Sequence, residues 1–133
     1  DFYGEKYFFD KLKKTRNNFN YLSFGLSRIE EDGSFRGENF PRDIKEAKKG
    51  LEEIRNSIKD NFIVADELNN AIEASLLEEE DILEVLERID KKMLLSGRSY
   101  NKRVLDKCYE QIEVKGERHY FENEHPPRKG IDL

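Results

Sequence analysis

The chain has 133 residues, 36% of them hydrophobic and 40% charged, with a net charge of -5. That length suits a single core, and the charged share is well above the roughly 25% usual for soluble domains. The longest apolar runs are short, such as Phe62-Ile63-Val64-Ala65, far below the ~20 residues of a membrane-spanning helix. The acidic balance weighs against a free-standing nucleic-acid binder, whose affinity comes largely from neutralising phosphates.

The first predicted element is a long helix. Phe8, Leu12, Thr15, Phe19, Leu22, Leu26 and Ile29 recur in steps of four and three, a heptad seam along one helical face. Tyr7, Phe9, Tyr21 and Phe24 flank the seam. Aromatic side chains at this spacing read as core, and Tyr7 and Tyr21, at the edges, are the candidates for a protein interface. Residues 32–40 contain Gly33 and Gly37 among small polar side chains and read as a loop. Pro41 suits the first turn of a second helix. Ile44, Ala47, Leu51, Ile54 and Ile58 then carry that helix to about Asp60-Asn61.

Phe62–Ala65 reads as an apolar junction that could open a third helix. Leu68, Ile72, Ser75, Glu79, Ile82, Leu86, Ile89 and Met93 share one heptad register with polar middle positions. Ser75-Leu76-Leu77-Glu78 also matches a capping box. The expectation is one long helix, or two with a break near residues 75–80, ending at Gly97. Ser99 is placed to cap a last helix through Tyr100, Val104, Leu105, Cys108, Tyr109 and Ile112. Beyond it, Ile112, Val114 and Tyr120 alternate weakly around Lys115-Gly116, and Pro126-Pro127 mark an extended tail. These elements predict an all-α fold: an antiparallel bundle of four to five amphipathic helices over residues 1–114, with an irregular or extended tail over 115–133.

Charge is unevenly spread. Residues 66–90 carry ten acidic side chains against Arg88 alone, and residues 91–119 carry eight basic against four acidic. The structural reading sets the acidic helix beside basic neighbours, with Glu78–Asp81 at the positive end of a helix dipole. The functional reading makes Glu78, Glu79, Glu80, Asp81 and Glu84 a docking surface for a basic partner.

Catalytic signals are sparse. His119 and His125 are the two histidines, and both lie in the C-terminal segment. A di-iron bundle needs paired Glu-x-x-His motifs, and only Glu122–His125 matches. Glu117, His119 and His125 with one cysteine fall short of a structural zinc set. No glycine loop of the Walker or dinucleotide type occurs. No metal or cofactor is therefore expected. Cys108 cannot form an internal disulfide; with apolar neighbours it reads as a buried structural thiol, and it suits a reducing, cytoplasmic setting. The first residue is Asp1 rather than methionine, as expected of a processed product or a piece of a longer protein.

The run Arg118-His119-Tyr120-Phe121-Glu122-Asn123-Glu124-His125 resembles the arginine, polar residue, spacer and histidine of HEPN-domain ribonucleases. The resemblance implies an all-α dimer cleaving RNA with Arg118 and His125, and His119 beside them. Pro126-Pro127 follow the motif here, where that family has further helix.

The leading expectation is a non-enzymatic helical interaction module that binds a protein partner or self-associates. The alternatives are the HEPN-like ribonuclease, an acidic inhibitor docking on a basic nucleic-acid-binding protein, and a helical sensor domain of a membrane receptor.

Overall fold

Two β-branched residues, Ile63 and Val64, stand at the centre of a four-residue strand, Phe62–Ala65 (β1). Residues of this kind pack well on a pleated surface and lose side-chain freedom in a helix. β1 pairs in parallel with Lys92–Leu95 (β2), in the register Phe62 to Lys92 and Ala65 to Leu95. A parallel pair needs a long crossover, and residues 66–91 supply it. The computed structural model describes residues 4–28, 32, 34, 36–59, 62–90, 92–99 and 101–117. Among them the chain order is α1 (Gly4–Thr15), α2 (Pro41–Asn56), β1, α3 (Leu68–Glu73), α4 (Glu79–Arg88), β2 and α5 (Lys102–Leu105).

The architecture is therefore mixed α/β, which corrects the all-α antiparallel bundle expected from periodicity. The heptad register running through Ile89 and Met93 is the source of the error. Ile89 leaves α4 in extended geometry (φ −81°, ψ 123°), and Met93, Leu94 and Leu95 alternate inward and outward along β2. The apolar junction at residues 62–65 is a strand for the same reason: Ile63 and Ala65 are buried while Phe62 and Val64 are exposed.

The chain divides into two compact units, one of residues 1–23 with 112–133 and one of residues 24–111. In the first, the expected long helix stops at Thr15. The Thr15 hydroxyl donates back to the carbonyls of Lys11 and Leu12, and Asn17-Asn18 form a turn, the conformation asparagine favours. Phe9 then packs on Phe19 and Tyr21, with ring centroids 5.7 and 5.0 Å apart. Residues 16–23 are neither helix nor strand, and the same holds for residues 24–28 at the start of the second unit, where Gly25 takes φ 106°.

In the second unit, the expected helix from Pro41 is present as α2, but it ends at Asn56 and gives way to a turn at residues 57–59 rather than running to about Asp60-Asn61. Pro41 occupies its first turn, and Asp43 in that turn accepts the Phe40 N–H at 2.7 Å. Gly50, inside α2, leaves room for the Phe24 ring: a Cβ there would stand 3.1 Å from it. The long segment after β1 is broken into α3 and α4, with residues 74–78 between them. Ser75 takes positive φ (53°) rather than capping a helix, and Glu78 is the residue that precedes α4. The last helix is short: Asn101, not Ser99, caps α5 by accepting the Val104 N–H at 3.1 Å.

Leu51, Ala65, Leu68, Leu77, Ile82, Leu83, Val85 and Val104 form the core of this unit, with Met93 and Leu95 packed against it. Leu51, Ile82, Val85 and Val104 are fully buried. One face of the strand pair thus closes onto α2–α5, and Phe62, Val64 and Leu94 stand on the other.

Candidate functional site

In α/β structures, ligands collect beyond the carboxyl ends of parallel strands. Here β1 runs into Asp66-Glu67 and β2 into Ser96-Gly97-Arg98-Ser99. Ser96 ties the two exits together. Its N–H donates to the Ala65 carbonyl at 3.2 Å, and its hydroxyl bonds with Asp66 and accepts the Glu67 N–H at 3.0 Å. The Asn70 side chain holds the second loop, its Oδ1 accepting from the N–H groups of Arg98 (2.7 Å) and Ser99 (3.3 Å). The Ser99 hydroxyl reaches both Asn70 and Glu73. Gly97 (φ 153°) lies so close to Asn69 that a Cβ would stand 2.8 Å from the asparagine Cβ. This corner is a hydrogen-bonded clasp, with the Oδ1 of the buried Asn69 left without a hydrogen-bond partner.

An open feature of the same unit is a depression of about 470 Å³ along α2, bordered by Asp81 of α4. Lys45, Lys48, Lys49 and Arg55 line it, Leu51 lies at its buried side, and Glu52 and Asp81 contribute carboxylates. Helical spacing places Lys45, Lys48, Glu52 and Arg55 one turn apart along one face. Arg55 is held by Glu52 at 3.3 Å, Asp81 at 3.6 Å and Glu84 at 3.0 Å. Partial burial works against its charge, but hydrogen bonding and attraction from Glu52 and Glu84 prevail and raise its pKa. Lys49 pairs with Glu46. Lys45 and Lys48 make no ion pair among the described residues. With Glu46 on Lys49 and with Glu52, Asp81 and Glu84 on Arg55, its four cations are matched by four carboxylates.

A third polar feature is structural. Arg36 and Asp43 form a buried two-pronged ion pair, at 2.7 and 3.0 Å. The Arg36 guanidinium also lies 4.2 Å over the Phe40 ring. Hydrogen bonds from Arg36 and from the Phe40 N–H pull the Asp43 pKa down to about 2.

The acidic residues singled out from the sequence are engaged within the chain. Glu79 and Glu80 pair with Arg103, the latter at 2.7 Å, and Asn101 donates to Glu79 at 2.6 Å. Glu84 pairs with Arg55 and Arg88, and Asp81 with Arg55. Glu78 is exposed just before α4. The hydrogen bond from Arg103 lowers the Glu80 pKa, and that from Lys107 lowers the pKa of Glu87. Tyr7 and Tyr21 belong to the other unit: Tyr7 is exposed beneath the Lys11 ammonium, and Tyr21 is half-buried against Phe9. Arg118, His119 and His125 lie outside the described residues. Cys108 is half-buried and burial raises its thiol pKa. No cluster of three or more metal-ligating side chains occurs among the described residues. None of their helices is long and apolar enough to cross a membrane.

The α2 cations were legible in the sequence as basic residues at 45, 48, 49 and 55 on one helical face.

Residues 1–133 match the family described as ATP:corrinoid adenosyltransferase BtuR/CobO/CobP. No curated protein and no solved structure matches the chain. The match spans the whole sequence, and the chain belongs to this family. Membership in a family of enzymes corrects the expectation of a non-enzymatic interaction module. It equally displaces the HEPN-like ribonuclease, the acidic inhibitor and the receptor sensor domain, none of which agrees with this family.

Proposed function

From this membership we propose that the protein transfers the adenosyl group of ATP to a corrinoid. The observation that carries the reading is the family match over residues 1–133. Moving the adenosyl group leaves the triphosphate behind, so a protein doing this chemistry needs positive charge where the phosphates lie. The Walker-type loop, which cradles phosphates with backbone N–H groups, is missing from the sequence. The half-buried thiol of Cys108, with no second cysteine in the chain, is in keeping with a reducing cytoplasm.

The test is direct. The purified full chain is incubated with ATP and a corrinoid, with and without a chemical reductant, and the corrinoid is analysed by mass spectrometry. The expected product is a corrinoid carrying one adenosyl group, dependent on both protein and ATP. Product no greater than in the protein-free control rejects the proposal.

A further inference from the structure

We infer that the run after α5 is an exchanged strand: in a dimer of this chain, each copy lays Glu110–Val114 along the open edge of β2 in the other. Two independent observations meet here, and neither depends on the adenosyltransferase reading. The first is an uncovered sheet. Parallel strands are ordinarily covered on both faces and protected at their edges. Among the described residues, β1 and β2 pair only with each other. Their outer face carries Phe62, Val64, Lys92 and Leu94, all exposed.

The second is a run of chain that nothing covers. Residues 109–117 are exposed throughout, are neither helix nor strand, and make no backbone hydrogen bond among the described residues. Within this run, the β-branched Ile112 and Val114 are 78% and 90% exposed and alternate with Gln111, Glu113 and Lys115, the period of a strand.

The two features complement each other. An extended chain sets Glu110, Ile112 and Val114 on one face. Running parallel to β2 with Ile112 beside Leu94, it brings Glu110 beside Lys92. Neither of these two charges makes an ion pair among the described residues. One register thus supplies both a charge pair and an apolar row, because Leu94 already stands opposite Val64. The run lies exposed in its own chain, so it does not cover its own sheet. Nine extended residues span about 30 Å, enough to reach a neighbouring copy, and reciprocal exchange closes into a two-fold dimer. Phe62, Val64 and Leu94 by themselves make a small patch. With Tyr109, Ile112 and Val114 of the partner added on both sides, the apolar surface available is of the order of the ~1,600 Å² that a stable interface covers.

The test is sedimentation equilibrium of the full chain across low to high micromolar concentrations. Wild type is expected to dimerise. Ile112→Asp/Val114→Asp, at positions that bury little in the single chain, should weaken the dimer at least about tenfold while circular dichroism stays unchanged. Lys92→Glu and Glu110→Lys should each weaken it about threefold or more, and the two together should restore it. In a Cys108→Ser background, Leu94→Cys and Ile112→Cys proteins should cross-link when mixed under oxidation, and neither should do so alone. A monomer at every concentration overturns the inference, as does a dimer indifferent to Ile112→Asp/Val114→Asp or a charge reversal that restores nothing. A Leu94→Cys/Ile112→Cys double variant that closes its disulfide within one chain also overturns it, by placing the run on its own sheet.

Discussion

Asp43 shows how one side chain can do three jobs at a helix start. It sits in the first turn of α2, accepts the Phe40 N–H, and neutralises Arg36 in a place where both side chains are almost fully buried. A buried charge without its partner is strongly destabilising, so the pair stands or falls together. Its carboxyl titrates near pH 2 in the folded chain, against an ordinary value of 3.8. A depressed pKa contributes stability above the unfolded value, and that contribution drains away as pH falls through the folded one. The urea midpoint of the wild type is therefore expected to drop between about pH 5 and pH 2. Asp43→Asn should start lower at pH 7 and lack the part of that decline due to this carboxyl. Parallel pH profiles for the two proteins would remove Asp43 from the acid response. Nothing in the sequence announces this pair. Arg36 and Asp43 are seven residues apart, across a loop-to-helix boundary, and no local periodicity links them.

At the scale of elements, legibility followed the length of the signal. α2 has a proline start, four apolar residues at three-four spacing and sixteen residues in which to express them, so its start could be read in advance. The four-residue strands could not. Phe62–Ala65 has too few residues to separate period two from period 3.6, and Met93 fell into a helical register by coincidence. Tertiary pairing decided the matter, because β1 and β2 satisfy each other's backbone groups only after a crossover that sequence spacing does not encode. The two readings make different demands on side chains. Ile82 is wholly buried on α4, whereas Leu94 is about half exposed (52%) on the outer face of β2. Ile82→Ala is expected to cost about 2–5 kcal/mol, as for other fully buried aliphatic truncations. Leu94→Ala should cost less than about 1 kcal/mol, because half of its surface is already in water. Urea unfolding of the two variants measures both. Comparable losses would mean that residue 94 faces the core, as a buried helix would place it.

For the molecule as a whole, function was less legible than fold. The family is expressed over all of residues 1–133, while the short patterns that carry chemistry, such as a Walker loop or a histidine-rich ligand set, are missing from the sequence. Eight residues around Arg118 and His125 suggested a different enzyme because they were the most motif-like stretch available. A further consequence comes from the division into two units. Residues 24–111 contain every member of the main core, both strands and the full lining of the α2 depression. The ends of the unit are also tied down within it. Phe24 lies against Gly50, and the Gln111 amide donates to the Leu105 carbonyl at 2.8 Å. A unit with its own core can fold alone, so a 24–111 fragment is expected to unfold cooperatively in urea. A fragment that shows no cooperative transition would place essential stabilising contacts outside residues 24–111.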